Sequence, residues 1–420
     1  MATSVLHSVL RESTLNAQAT SKPVDLVVGV AAGIHSPQKS TQFVKQVIAA
    51  LTSHLRHLNK TFIFVDTGHS PETREAIQAI DIANLGIVTG RYTGVKGEGA
   101  AISAIMHQAL ELGAKAIILL DNNSDGFDPS WIPGFAQLVL TEQADLVKPR
   151  YALPPTDSML SNLLFYPFMR AVWGTAFQHP AATDFAISAK AAQILLKQDV
   201  WETDISRAGF HIWLSTLAIT EGWPLAQTAI SPKHTLPEEI PSIDLTTFRE
   251  IVGTMLRQLQ LKRRLWPMIK HCHPVATLTE FANKHTEEFT TEYADYNESN
   301  AIDTLALGWI EYRHLWEKVL LPEHLIAIEY IATKPEDRFY FPPDIWAKVV
   351  YDFAVVYNKG ELDPDAVVQA LYPLYQGRLA SFWPEIAGLT AVGRSGVISA
   401  QGVEFEELKP YLCHRWKTFQ

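Results

Sequence analysis

Cysteine is nearly absent: Cys272 and Cys413 are the two in 420 residues. Two are too few for a disulfide framework or a cysteine-built metal site, and they suit a reducing compartment. No run of 18 apolar residues occurs, and the first 23 residues hold Ser, Thr, Gln and Asn without a long apolar stretch. That argues against membrane spans and secretion, and predicts a cytosolic, cytoplasmic protein. Basic charge is also short, with 35 Lys and Arg against 45 Asp and Glu and a net charge of −10. No basic arm offsets the acid excess, and the Lys262-Arg263-Arg264 cluster is too small to do so, so no nucleic-acid partner is expected. Internal repeats and low-complexity segments are missing, which disfavours solenoid and tail-mediated functions.

What is present is apolar sequence in alternating blocks. Hydrophobic residues make up 47% of the chain, ample for real cores, and the length allows two or three domains. After a helical or loose leader (1–22), a buried strand is expected at 25–30, a helix at 43–55, a strand at 61–65 ending on Asp66, a helix to about Ile80 and a short strand at 86–89. A glycine-punctuated loop ending at Gly99 then leads into an apolar-periodic helix carrying Ile102, Ile105, Met106 and Ala109. The run 116–120 stops on Asp121; five apolar residues, β-branched at Ile117 and Ile118, read as a buried strand of a parallel sheet. Strand and helix alternate on through 225–230, which predicts a doubly wound α/β unit. From about Asp244 helical periodicity takes over, broken by Pro274, Pro322 and Pro342-Pro343. The predicted organisation is a leader (1–22), an α/β domain (23–240) and an all-α C-terminal domain (241–420).

Ligands of open α/β sheets bind outside the carboxyl ends of the strands, so Asp121, Asn122, Asn123 and Asp125 stand where a site belongs. Asp66 has the same standing on its own strand. Each also suits a bland role as a turn or cap residue. Asp184, ahead of Phe-Ala-Ile, either orients a ligand or caps its strand. His211, on an apolar helix, is a candidate base or a satisfied, partly buried histidine. The His271-Cys272-His273 triplet lacks the spacing of a metal site. Aromatics at Phe165, Tyr166, Phe168, Trp173 and Phe177 fit core packing better than a sugar platform.

Taken in order, the residues Asp66, then Tyr92-Thr-Gly-Val-Lys-Gly-Glu-Gly, Leu-Leu-Asp121-Asn-Asn, Pro129-Ser-Trp-Ile, Asp184-Phe, Gly209-Phe-His-Ile-Trp-Leu and the closing Phe405-Glu-Glu-Leu-Lys-Pro-Tyr-Leu-Cys-His-Arg-Trp form a pattern. It resembles the glycosyltransferases of the mannosylglycerate and glucosylglycerate synthase type over roughly residues 24–416. The resemblance implies a GT-A nucleotide-sugar domain followed by a helical extension. It also implies transfer of a hexose, with retention, from a nucleotide diphosphate sugar to a small hydroxylated, glycerate-like acceptor.

Relatives of this type carry Asp-x-Asp at the end of the central strand, holding a divalent metal (Mg or Mn) against the donor's pyrophosphate, a role suited to hard oxygen ligands. Here the element is Asp121-Asn122-Asn123, with Asp125 or Asp128 as replacements for the lost carboxylate. His234 in Ser-Pro-Lys-His-Thr stands near the later metal-ligating histidine, although without a gap Thr235 takes that place. The phosphate-facing Gly-Lys-Gly corresponds either to Val95-Lys96-Gly97 or to Gly97-Glu98-Gly99, which puts an acid there. An acidic residue in the Gly-x-x-Trp-Leu helix is replaced by His211, and a glycine-rich acceptor loop by Pro180-Ala-Ala-Thr-Asp184.

The resemblance therefore implies Asp184 and His211 as catalytic positions. Asp66, Lys96, Gly97, Gly99, Asp121 and Asn122 fall at donor positions, and Asp121, Asn123 and His234 at metal positions. The altered positions also suit, as the alternative, a catalytically degraded relative acting as a binding or partner subunit, and the helical extension allows a homodimer or pairing with a related subunit. A sugar-nucleotide nucleotidyltransferase would want an arginine-bearing glycine loop near the N-terminus, and Ala31-Ala-Gly-Ile has none.

Overall fold

The computed structural model describes residues 10–15, 23–31, 37–66, 71–80, 85–92, 97–121, 127–151, 159–230, 243–280 and 298–419. Among them the strands are β1 (Leu10–Leu15), β2 (Leu26–Ala31), β3 (Lys60–Asp66), β4 (Leu85–Tyr92), β5 (Ala116–Asp121), β6 (Leu146–Tyr151), β7 (Thr175–Ala176), β8 (Phe185–Ser188), β9 (Leu225–Ile230), β10 (His273–Pro274) and β11 (Ala276–Leu278). The α-helices are α1 (Pro37–Ser53), α2 (Pro71–Gln78), α3 (Glu98–Glu111), α4 (Trp131–Leu140), α5 (Tyr166–Trp173), α6 (Ala189–Leu196), α7 (Phe210–Thr220), α8 (Leu245–Leu261), α9 (Glu298–Val319), α10 (Pro322–Ala332), α11 (Pro343–Lys359), α12 (Pro364–Ile386), α13 (Ala391–Glu407) and α14 (Lys409–Thr418). No helix among the described residues is long and apolar enough to cross a membrane.

The chain forms two compact units. One comprises the described residues of Met1–Leu153, Ala181–Leu236 and Val275–Thr286; the other comprises those of Pro154–Pro180, Pro237–Pro274 and Glu287–Gln420. This differs from a single boundary near residues 235–243, because the aromatic segment 154–180 joins the helical unit and 275–286 joins the α/β unit. The reason for the first exchange is pairing: the Leu163 carbonyl accepts Trp346 Nε1, the Asn162 carbonyl accepts Gln401 Nε2 and Arg170 pairs with Glu406 at 2.8 Å.

The α/β unit is built on a nine-stranded sheet in the order β1-β4-β3-β2-β5-β8-β6-β9-β11. Strands β4, β3, β2 and β5 run parallel, as do β6, β9 and β11, while β8 is inserted antiparallel between β5 and β6. An α/β unit on a mixed sheet and a mainly helical unit are thus both present among the described residues. The sheet is mixed rather than wholly parallel, because Asp184-Phe-Ala-Ile-Ser188 returns between two strands of the opposite direction.

Two further expectations are corrected. Part of the leader expected to be helical or loose, Leu10–Leu15, is a strand, antiparallel to β4 at the sheet edge. The region expected to be all-α contains β10 and β11, and β11 extends the sheet beside β9.

The pleat sorts the apolar runs onto two faces. On β5, Ile118 and Leu120 join one core with α1 and α4, whereas Ile117 and Leu119 join the other with α3, α6 and α7. Covering both faces is why these strands read as unbroken apolar runs instead of alternating ones. Ser188 starts α6 by accepting the Ala191 N–H at 3.1 Å, a side-chain cap that ends β8 where the helix must begin.

The helical unit buries large aromatics whose polar tips find backbone acceptors. Trp346 Nε1 donates to the Leu163 carbonyl (2.7 Å), Tyr351 to the Phe405 carbonyl (2.6 Å) and Trp316 Nε1 to the Ala370 carbonyl (2.9 Å). Helices α9 and α12 lie close enough that a Cβ on Gly308 would overlap the Pro373 ring and one on Gly377 the Leu305 side chain. Those two glycines set the approach of the pair.

Candidate functional site

Register places the candidate carboxylates on one edge of the sheet. Ala31 at the end of β2 pairs with Asp121 on β5 and with Val65 on β3, one residue before Asp66. Asp66 and Asp121 therefore end their strands on the same C-terminal edge with β2 between them.

Around Asp121 a polar cluster is built from three elements. Asp184, fully buried, accepts the backbone N–H of Asp121 on Oδ1 at 2.9 Å and the Tyr151 hydroxyl on Oδ2. Thr183 donates to Asp121 Oδ2 at 3.4 Å. Lys148, also fully buried, donates to the Ala182 carbonyl at 2.6 Å, with its Nζ 5.0 Å from the Phe185 ring centroid. Burial pushes the Tyr151 hydroxyl well above its ordinary range, and the Asp184 carboxylate adds to this, so it stays a donor. Burial pulls the Lys148 ammonium down to about 7, opposed by the Glu98 and Asp184 carboxylates.

A pH dependence follows from Lys148. Its proton is held less tightly in the folded chain, so the stabilisation present above 10.5 is lost as pH falls towards about 7. Between pH 7 and 9 the unfolding free energy should rise by up to about 1.4 kcal/mol per pH unit more in the native protein than in Lys148→Met. Urea unfolding of both across that range checks it, and parallel profiles would rule it out.

A second group forms at the start of α3. Glu98 Oε1 lies 3.1 Å from Nε2 of His211 on α7; His211 is 3% exposed and its ring meets Phe185 and Phe210 edge-on. The contact is an ion-pair distance without the angle of a hydrogen bond, since neither ring nitrogen has a hydrogen-bond partner among the described residues. The two substitutions that looked independent in the sequence, an acid in the glycine loop and an imidazole on the helix, thus face each other.

Gly97 and Gly99 are explained by packing. A Cβ on either would run into the backbone of Ser206, part of the 3₁₀ turn Asp204–Ser206, and for Gly99 the separation would be 2.9 Å. Gly97 N–H donates to the Tyr92 hydroxyl at 3.1 Å.

The structure therefore brings Asp121, Thr183, Asp184, Tyr151 and Lys148 together, and pairs Glu98 with His211. Asp128 is a local turn residue: its carboxylate accepts the Ser130 N–H at 2.8 Å just ahead of α4. The expected positions Lys96, Asn122, Asn123, Asp125, His234 and Thr235 lie outside the described residues, as does the side chain of Asp66. Sequence reasoning gave no role to Lys148 and Tyr151. The signal available was a single lysine inside the apolar strand Leu-Val-Lys-Pro, a charge that burial must partner.

A divalent metal would meet the Asp121 carboxylate, a half-buried hard-oxygen donor. Asp184 has both oxygens engaged, and no group of three or more His, Cys, Asp and Glu that could hold a metal occurs among the described residues. The donor chemistry at Asp121 fits a hard cation, with one ligand supplied by the described residues.

No family model and no curated protein matches the chain. Solved structures do. One is glucosyl-3-phosphoglycerate synthase from Mycobacterium tuberculosis in complex with phosphoglyceric acid, at 16% identity and TM-score 0.40, over 56% of this chain and 79% of that one. The same enzyme with Mn2+, UDP-glucose and phosphoglyceric acid matches at 15% identity and TM-score 0.40 over the same shares. The third is mannosyl-3-phosphoglycerate synthase from Rubrobacter xylanophilus, at 16% identity and TM-score 0.39, over 58% and 76%. It is to these hexosyl-3-phosphoglycerate synthases that the chain is similar, across a little more than half of its length.

Proposed function

We propose that the edge of the sheet at Asp121 binds a nucleotide diphosphate sugar and that the protein transfers its hexose, with retention, to a small hydroxylated acceptor of the glycerate kind. The observation that carries this is the placement of Asp121: the carboxylate ends β5, mid-sheet between β2 and β8, with Asp184 fastening its backbone. A divalent cation held by Asp121, with Asn123 and His234 completing its ligands, would neutralise the departing nucleoside diphosphate. Asp66 faces the donor's base or ribose in this reading, and Lys96 its phosphates. Asp184 acts by holding Asp121 and Tyr151 in register, since both its oxygens are already engaged.

A second reading has its own observation. The acid at the start of α3 faces His211 instead of leaving a cation for phosphate, which favours a donor-binding partner subunit without turnover.

Calorimetric titration with UDP and GDP, each with and without Mn2+, tests the shared premise. Binding of one nucleotide that requires Mn2+ is expected. No binding under any of the four conditions would remove the donor reading, and binding without hexose transfer to glycerate or 3-phosphoglycerate would select the partner-subunit reading.

A further inference from the structure

We propose that Lys148 is a positioning residue of the strand-end site: from one face of the sheet it grips the 181–184 turn that Tyr151 grips from the other, and so fixes how Thr183 and Asp184 meet Asp121. What the site binds rests on the donor reading above; the placement does not.

The pleat of β6 gives the two-sided arrangement. Leu146 belongs to the core on the Phe185 face and Val147 to the opposite one. Lys148 follows Leu146 by two residues and its Nζ stands over Phe185, whereas Tyr151 packs on the Val147 side. The ammonium takes the Ala182 carbonyl at 2.6 Å and the phenol takes Asp184 Oδ2, two anchors on a stretch of three residues. Between them Thr183 reaches Asp121 Oδ2, and Asp184 Oδ1 holds the Asp121 N–H. Moving the Ala182 end of the turn therefore moves both contacts to Asp121.

Charge points the same way. The titratable groups that bear on Lys148 are Glu98 at the start of α3 and Asp184 ahead of β8, with His211 of α7 against Glu98. Lys148 is the buried amine whose charged form the Glu98 and Asp184 carboxylates favour. A buried ammonium is costly and a methionine of similar length would fill the space, so packing alone does not call for lysine here.

Lys148→Met should weaken Mn2+-dependent UDP or GDP binding by about tenfold or more, because a turn displaced by a fraction of an ångström misplaces its ligand groups. The melting temperature at pH 7 should be unchanged or higher, which separates positioning from a structural role. Affinity within about twofold of the native protein would overturn the proposal. If the native protein binds neither nucleotide, the donor reading fails while this one is still decided, by melting Lys148→Met, Asp184→Asn and the double variant. Non-additive shifts support the coupling of Lys148 to Asp184 through the turn, and additive shifts overturn it.

Discussion

Replacing Asp121 by alanine should lower the affinity for the Mn2+-nucleotide pair by about a hundredfold or more, about 2.7 kcal/mol. The expectation follows from where the carboxylate stands. It is half-buried at the end of β5, with its backbone N–H held by Asp184 and Oδ2 met by the Thr183 hydroxyl. A charge partly withdrawn from water acts on a divalent ion more strongly than one in bulk solvent. The fold should tolerate the change, because the group that ties β5 to Asp184 is the main-chain N–H of residue 121, which alanine keeps. Asp121→Asn separates charge from shape: an amide offers a carbonyl oxygen, so intermediate affinity is expected. Calorimetry of the three proteins beside their melting curves gives the result, and equal affinities would show that the ligand does not meet Asp121.

The largest stability effect is expected in the helical unit, at Asp352. This carboxylate on α11 is fully buried and joins two other helices. Its Oδ2 accepts the Leu321 N–H at the start of α10 (3.2 Å) and lies 2.7 Å from His324 Nδ1. Its Oδ1 accepts the Tyr411 hydroxyl and, at 3.3 Å, Arg415 Nε from α14. Removing the acid leaves several donors and a cation without their acceptor, and breaking such a buried pair costs about 3–5 kcal/mol. Asp352→Ala should thus lower the melting temperature of this unit by on the order of 10 °C, with a smaller loss for Asp352→Asn. A shift of less than about 2 °C would mean that water replaces the carboxylate, and that the network does not lock α10 and α14 to α11.

Much of the α/β architecture could be read from periodicity. A strand buried on both faces reads as a nearly continuous apolar run, and the runs at 26–30, 62–65 and 116–120 met that condition before any pairing was known. The terminal acids of two such runs, Asp66 and Asp121, were visible in the same pattern, as the first charge after each apolar run. The glycine loop was legible as a loop, but its cause was not. Gly97 and Gly99 answer to the backbone of Ser206, more than a hundred residues later, and no local signal carries that.

Direction and contact between distant segments were settled only by folding. Nothing within Phe-Ala-Ile-Ser says that β8 runs antiparallel to its neighbours, since a four-residue strand has the same pleat in either sense. Nor does composition assign 154–180 to the helical unit, because an aromatic segment is equally apolar against either core. The pairing of Glu98 with His211 and the grip of Lys148 on Ala182 join residues 113 and 34 positions apart. The sequence by itself determined which residues must leave water and at what period, and hence the elements and the sheet edge where charges collect. The tertiary structure alone decided which buried polar groups meet, because each must find a partner out of water, and that partner is chosen by geometry between segments and not by the chain around it.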